Sequence, residues 1–351
     1  MLPAARATLE TDHGHRLRGS APKDILLHMN RRGFFGALLA SAGSPGSLSA
    51  QAWPSRPLRL IVPYAPGGTT DIIARLVAPG MQEALGQPVV IENRPGAGGN
   101  IGTGVVARAE PDGYSLVLGT GGTLTINPSI FTNMPFDSQR DVAPVSLIAA
   151  VQSVMVVNPT LPVRSVQDFI TYAKARPGQV FFASGGVGNS AHMAGELLNT
   201  LAGLRMVHVP YRGSGPAMAD LMAGQGVHLA LDTMPTYINA IRDGRLRGLA
   251  VTGATRSAAL PDLPTMQEAG VAGFEVSTLF GMLTTGGVPS PILARLHSAT
   301  VAAVRHPNVA ARLEQLGAEL VASTPEEFAY VIARDIQKWR EVTRRVGITQ
   351  H

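Results

Sequence analysis

Three glycine-rich turns are the places where residue type and spacing in this sequence point to chemistry, and that chemistry is the holding of an anion. The first turn runs through Pro63, Tyr64, Ala65, Pro66, Gly67, Gly68, Thr69, Thr70 and Asp71, between the apolar run Leu58–Val62 and a helical pattern. The first N–H groups of a helix lack intrahelical partners and lie at the positive end of its dipole. Adjacent glycines leave such groups unobstructed, so a carboxylate is a natural guest. The same turn also reads as a tight strand-to-helix connection with Thr69 or Thr70 as its N-cap. The second turn, Ser184, Gly185, Gly186, Val187, Gly188, Asn189, Ser190, Ala191 and His192, repeats the order of strand, glycines and helix. That recurrence favours binding over capping alone. Both turns fall at carboxyl ends of strands, where open α/β sheets bind ligands. Neither carries the Lys-Ser/Thr of a phosphate loop.

The third turn, Arg94, Pro95, Gly96, Ala97, Gly98, Gly99, Asn100, Ile101, Gly102, Thr103 and Gly104, offers a superficial dinucleotide fingerprint. Its glycines do not fall as GxGxxG after the strand, and Pro95 interrupts the turn, so no nucleotide cofactor is expected. Catalytic constellations are sparse. There is no HExxH, no GxSxG and no cysteine. Ser190 and His192 lie two apart at a helix start and face different directions, a poor geometry for a nucleophile and its base. His192 reads as packed or capping, and His208 and His228 as satisfied core histidines. Asp232, at the end of an apolar run, is the one acid placed near a cleft. It accepts from a ligand ammonium or hydroxyl, or it caps the turn that follows. Thr120, beyond the third strand, completes the candidate ligand-binding set of Tyr64, Pro66, Gly67, Gly68, Thr69, Asp71, Thr120, Ser184, Gly185, Gly188, Asn189, Ser190, His192 and Asp232. No metal site and no cofactor are expected.

The elements that must position these turns alternate. Short β-branched runs at 58–62, 88–91, 114–118, 180–183, 206–209, 227–231 and 246–252 are interleaved with helical patterns at 69–85, 100–109, 190–201, 215–223 and 235–242. The tail is helical at 291–304, 307–316 and 325–346. Strands separated by helices predict parallel sheets with crossover helices. The β-rich stretches 142–157 and 274–285 break the rhythm and suit strands that cross between two lobes. The predicted fold is therefore α/β, with two Rossmann-like lobes and a central cleft. Residues 53–155 with 280–351 form lobe one, and residues 156–279 form lobe two. Two crossings make a double hinge, a geometry suited to closure around a ligand.

The chain has 351 residues, 45% hydrophobic and 15% charged, with a net charge of +5. Six Lys/Arg and three acids lie in residues 1–52, which leaves 23 basic and 21 acidic residues for the remainder. That balance, without a basic stripe, makes nucleic acid an unexpected partner. The excess comes from a leader. Arg31-Arg32 precedes Phe34-Phe35, a weakly apolar stretch and Ala50-Gln51-Ala52. This order predicts a twin-arginine (Tat) export signal cleaved after Ala52, with translation starting at Met1 or at Met29. The predicted location is the periplasm.

Five ordered motifs carry a resemblance. They are Tyr64-Ala65-Pro66-Gly67-Gly68-Thr69-Thr70-Asp71, Val90-Ile91-Glu92-Asn93-Arg94-Pro95-Gly96-Ala97-Gly98-Gly99, Pro111-Asp112-Gly113-Tyr114, His208-Val209-Pro210-Tyr211-Arg212-Gly213 and Gly244-Arg245-Leu246-Arg247. The chain from about Arg59 onward resembles the Bug family, the periplasmic receptors of tripartite tricarboxylate transporters. Ala65 stands where that family usually has Pro. The resemblance implies a Venus-flytrap-like binding protein of the second periplasmic class, without enzymatic activity. It implies a di- or tricarboxylate, acidic amino acid or aromatic carboxylate held by backbone N–H groups and bridging waters of two loops, here residues 64–71 and 184–190. Integral membrane transporter subunits are the implied partners, or in some members a signalling sensor, and the chain is expected to be a monomer. The competing class is an α/β hydrolase or dehydrogenase. It needs a titratable group poised in the cleft, for which only Asp232 and His192 are available.

Overall fold

The computed structural model describes residues 53–346, and the export signal, the Met29 start and cleavage after Ala52 lie outside the described residues. The chain opens with β1 (Leu58–Val62), α1 (Thr69–Leu85), β2 (Val89–Asn93), α2 (Asn100–Ala107) and β3 (Ser115–Thr120). The three strands pair in parallel, with β1 between β2 and β3. Leu58, Leu60 and Val62 of β1 are fully buried against Ile73, Val77 and Met81 of α1. The 17-residue α1 contains Pro79 but stays continuous, and Gly80 lets it approach Ala303 closely. A wide helical turn at Gly122–Ile126 leads into the short α3 (Asn127–Ile130).

The next strand, β4 (Val142–Val157), belongs to both halves of the sheet. Residues 142–152 pair antiparallel with β9 (Ser277–Thr285), whereas residues 153–157 pair antiparallel with β7 (Leu229–Thr233) and 154–157 with β8 (Arg247–Val251). Between β4 and β7 come α4 (Val166–Lys174), β5 (Phe181–Ser184), α5 (Ser190–Ala202), β6 (Val207–Pro210) and α6 (Ser214–Ala223). β5 pairs in parallel with both β6 and β7. α7 (Met234–Arg242) connects β7 to β8. The strand order is β2-β1-β3-β9-β4-β7-β5-β6. The runs β2-β1-β3 and β7-β5-β6 are thus parallel, as alternation predicts, and the sheet is antiparallel where β4, β8 and β9 pair.

The chain ends in α8 (Ser290–Arg305), α9 (Pro307–Gln315), β10 (Ala318–Leu320) and α10 (Pro325–Val346). Phe328, Ile332 and Ile336 recur four apart on α10 and are buried against Leu147 and Leu283 of the first lobe. The Phe328 ring lies where a side chain at Gly281 of β9 would fall. Burying such a ring contributes about 2–3 kcal/mol. Further along the same helix, Trp339 packs beside Ile130, Phe131 and Met193, the last on α5. One helix therefore packs on the first half of the sheet and reaches α5. Three elements lie outside the sequence reading, and several others shift their ends by one or two residues. α3 and β10 were not expected because segments of three or four residues carry no period, whereas α4 was missed although Val166, Phe169, Ile170 and Ala173 recur at helical spacing behind the Ser165 cap. α6 starts at Ser214, one residue earlier than its pattern.

Candidate functional site

The crossovers from β1, β5 and β6 end their strands in glycine turns and begin their helices beside the cleft between the lobes. The amino ends of α1, α5, α6 and α7 meet there. Their first residues line one cavity: Gly68, Thr69 and Thr70 from α1, Asn189 and Ser190 from α5, Ser214 from α6, and Asp232 and Thr233 ahead of α7. Tyr64, Thr120, Thr278 and Phe280 complete the wall. None of the lining residues is Lys, Arg or His. The enclosed space is small, about 30 Å³ available to water centres, which is room for one or two waters. Helix N-termini supply roughly half a positive charge each, so they offer an anion partial positive charge without a cationic side chain.

Two of these turns are held by side chains set behind them. In the first, Asp71 accepts from Gly67 N–H at 3.1 Å, from Arg75 at 2.9 Å and from Asn93 at 3.1 Å. Burial by itself raises the Asp71 carboxyl, but bonds from Arg75, Gly67 and Asn93 outweigh it and leave the group below its usual range. Asp71 is therefore a brace for the loop and lies outside the cavity wall. Pro66 and Gly67 lie on the exposed side of the turn. Tyr64 is buried, donates to Gly98 O at 3.0 Å and shares a bond with Thr120 Oγ1 at 3.1 Å. Burial pushes its phenol up to about 12, so it stays neutral.

In the second turn, Asn189 caps α5 by accepting from His192 N–H at 2.9 Å. Ser184 sits beneath the loop, where its hydroxyl binds Gly186 and the Nε2 of His208. Gly185 and Gly188 face the neighbouring backbone and Asn127, and do not line the cavity. His192 accepts from Gly188 N–H at 3.2 Å, and its ring stacks on His208 with centroids 4.0 Å apart. Phe182 packs against both rings, 5.0 Å from His208 and 6.4 Å from His192. His192 is thus a packed residue behind the loop, as its position predicts. His228 accepts from Phe181 N–H at 3.0 Å and is likewise satisfied.

The paired imidazoles make an acid-sensitive support. Burial lowers His192 to about 4, and burial with the neighbouring His192 lowers His208 to about 3. An unfolded chain protonates both near pH 6.5. The unfolded state therefore binds more protons between about pH 6.5 and 3, and stability falls as pH drops through that window. The thermal midpoint of the wild-type protein should decline steeply from pH 7 to pH 4. In the His192→Gln/His208→Gln variant that decline should be visibly flatter. Equal slopes would assign the acid sensitivity elsewhere.

The lobes touch through the same turns. Ala65 N–H donates to Arg212 O at 2.8 Å, and Thr69 Oγ1 lies 2.8 Å from Thr233 Oγ1 and 2.9 Å from Thr236 Oγ1. Gly98, in the third glycine turn, abuts the carbonyl of Val187 in the second. That third turn therefore packs directly on the second. Asp232 is 2% exposed. Its Oδ1 accepts from Thr233 N–H at 2.7 Å and from Thr233 Oγ1 at 3.3 Å, while Tyr237 OH lies 3.5 Å from Oδ2. Burial raises its carboxyl, opposed by bonds from Ser214, Thr233 and Tyr237.

The sequence-predicted residues that meet at the cavity are Tyr64, Gly68, Thr69, Thr120, Asn189, Ser190 and Asp232. Thr70, Ser214, Thr233, Thr278 and Phe280 join them from outside that set. Ser214 had a legible signal, since Gly213-Ser214-Gly215 follows a strand and opens a helix like the other turns. Thr278 and Phe280 reach the cavity only through antiparallel pairing of β9, which no local pattern announces.

Comparison with known proteins places this geometry. Residues 73–348 match the model of the tripartite tricarboxylate transporter family receptor. BugT of Bordetella pertussis is 38% identical over 313 residues, which cover 89% of this chain and 96% of BugT. A solved Rhodopseudomonas palustris protein, Rpa4515 with adipate, is 37% identical at a TM-score of 0.82, covering 85% of this chain and 99% of its own. MatC from Rhodopseudomonas palustris, solved with bound malate, is 32% identical at a TM-score of 0.79, covering 82% and 99%. Both solved proteins share the two-lobed α/β architecture described above. The chain belongs to the tripartite tricarboxylate transporter family of receptors.

Proposed function

We propose that this protein captures a small carboxylate between its lobes, outside the cytoplasmic membrane, and presents it as a monomer to membrane-embedded transporter subunits. The observation that carries the reading is the convergence of four helix N-termini on a cavity with no cationic side chain. Such a wall recognises an anion by backbone N–H groups and hydroxyls, and it supplies no catalytic base or nucleophile pair. The family is one of receptors, and two solved relatives carry adipate and malate. We place lobe one at residues 53–155 with 280–351 and lobe two at 156–279, so that β4 and the entry to β9 form the hinge. The contacts between Thr69, Thr233 and Thr236 then form on closure. A dicarboxylate exceeds the space of the closed cavity, so capture requires the lobes to part and close again.

A thermal-shift series on the full chain against di- and tricarboxylates, acidic amino acids and aromatic carboxylates tests this. At a hundredfold excess over Kd, a ligand of the native state adds about 2.7 kcal/mol. A saturable rise in melting temperature with a carboxylate is the expected result. A flat response to every carboxylate, from protein first unfolded and refolded to strip any carried ligand, would overturn the reading.

A further inference from the structure

Resting on the reading of two lobes that close about a hinge, we propose that Thr252 ties the two chain crossings together and so sets ligand affinity without touching the ligand. The pairing of β4 marks the first crossing. β4 runs beside β9 as far as Gln152 and Ser277, and from Ser153 onward it pairs with β7 instead. The second crossing is the step from Val276 into β9 at Ser277. On the first-lobe side, strand pairing joins the two crossings. On the second-lobe side that pairing has ended, because β4 turns to β7 and β8.

Thr252 spans this gap. It is fully buried, one residue beyond the end of β8. Its backbone N–H donates to Ser153 O at 2.9 Å, and its carbonyl accepts from Val276 N–H at 2.9 Å. The side chain repeats the link. Oγ1 accepts from Ser153 N–H at 2.8 Å and donates to Val276 O at 2.6 Å, with Ser153 O as a further acceptor at 3.0 Å. A hydroxyl donates and accepts at once, so this one atom is bonded to both crossings. The next residue extends the tie, with Gly253 N–H donating to Gln152 Oε1 at 3.2 Å.

The consequence is mechanical. Two crossings joined on one side only would let the lobes twist as well as swing. Twisting displaces Ser153 from Val276 and breaks buried hydrogen bonds at Thr252, where an unmet donor or acceptor is costly. A swing that carries the three residues together breaks none of them. Thr252 therefore leaves opening and closing free and opposes other relative motion. The four helix ends then meet in the same register at each closure. Without the hydroxyl the open state spreads over more orientations, and affinity falls with the fraction competent to close.

Thr252→Val keeps the shape of the side chain and removes the hydroxyl, whereas Thr252→Ser keeps the hydroxyl. The chain has no cysteine, so spin labels on Glu83→Cys and Lys174→Cys, exposed positions on α1 and α4, report the distance between lobes in the full chain. Without ligand, Thr252→Val should broaden the distance distribution, and Thr252→Ser should match the wild type. Gln152→Met removes only the outer tie and should broaden it in the same direction, which keeps the test open if Thr252→Val does not fold. Calorimetry with adipate and malate as probes should show Thr252→Val weakening whichever binds by about tenfold, about 1.4 kcal/mol, and Thr252→Ser by less than about threefold. Ile170→Val, in the second-lobe core, should lower the melting temperature and leave width and affinity unchanged, which separates a hinge role from lost stability. An unchanged width in Thr252→Val, or a Thr252→Ser distribution as broad as that of Thr252→Val, overturns the assignment while leaving two moving lobes. A broadened width with unchanged affinity overturns the link to binding. Wild-type lobes that keep one distance with and without bound probe remove the hinge reading and the assignment together. If neither probe binds, the unliganded widths decide.

Discussion

Gly98→Ala should weaken carboxylate binding by roughly a hundredfold, about 2.7 kcal/mol, while leaving the protein folded. Gly98 has φ 62°, and a Cβ there would fall on the carbonyl oxygen of Val187 in the opposite lobe. Neither atom belongs to a flexible side-chain end, so the lobes must stand apart to admit the methyl group. The contacts that the proposed closure forms, Ala65 N–H to Arg212 O and Thr69 to Thr233 and Thr236, are then lost together. Net contributions of about 1 kcal/mol per hydrogen bond make a loss of this size from two or three of them. The left-handed backbone itself costs an alanine about 1–2 kcal/mol, but that cost is paid in open and closed forms alike. The adjacent Ala97 already adopts φ 46°.

Gly86→Ala supplies the control. Gly86 has φ 70° at the end of α1, and a Cβ there meets nothing within 4 Å. It should lose a similar amount of stability and no affinity. Calorimetry gives the two dissociation constants, and small-angle scattering gives the shape with ligand present. Gly98→Ala should keep a larger radius of gyration at saturating ligand than the wild type. Equal affinities in the two variants would show that the third glycine turn plays no part in closure.

The two-lobed α/β fold was legible in the sequence because it rests on local signals. Leu58–Val62 and the Ile73, Val77, Met81 stripe of α1 carry their periods in plain view, and glycine turns mark where strands become helices. Sheet direction was less legible. β4 and β9 are apolar runs, and such a run does not say which neighbour it takes or in which direction. Their antiparallel entry places Thr278 and Phe280 at the cavity. The candidate site divides the same way. Positions at the first turn of a helix were readable from glycine and Ser/Thr placement. Which glycine faces the cavity was not, since that depends on how two loops from distant parts of the chain meet. Asp71, Ser184 and His192 carry ligand-like chemistry but spend it on neighbouring backbone and rings.

Gly185→Val should weaken binding by at least tenfold, about 1.4 kcal/mol, and by more than the same change in the first turn would by steric means. A Cβ at Gly185 would lie 2.7 Å from Asn189 Nδ2 and 3.2 Å from Ser214 N. Asn189 caps α5 and Ser214 begins α6, so one added side chain pushes on two of the four helix ends at once. Loss of the cap alone costs about 1 kcal/mol, and the displaced N–H groups no longer converge on the anion. Gly67 is different. It is exposed, and its Cβ would meet only Gly215 Cα at 3.8 Å. At φ 86° it resists substitution through backbone strain, and its N–H is tied to Asp71. The matched pair Gly185→Ala and Gly67→Ala therefore separates two mechanisms. The first should raise the dissociation constant by more than the loss of the α5 cap, about 1 kcal/mol in the unliganded protein, accounts for. The second should lower the unliganded melting temperature with a smaller change in affinity, because strain in the turn is present with and without ligand. The reverse pattern would move the anion contact from the α5 and α6 ends to the exposed side of the first turn.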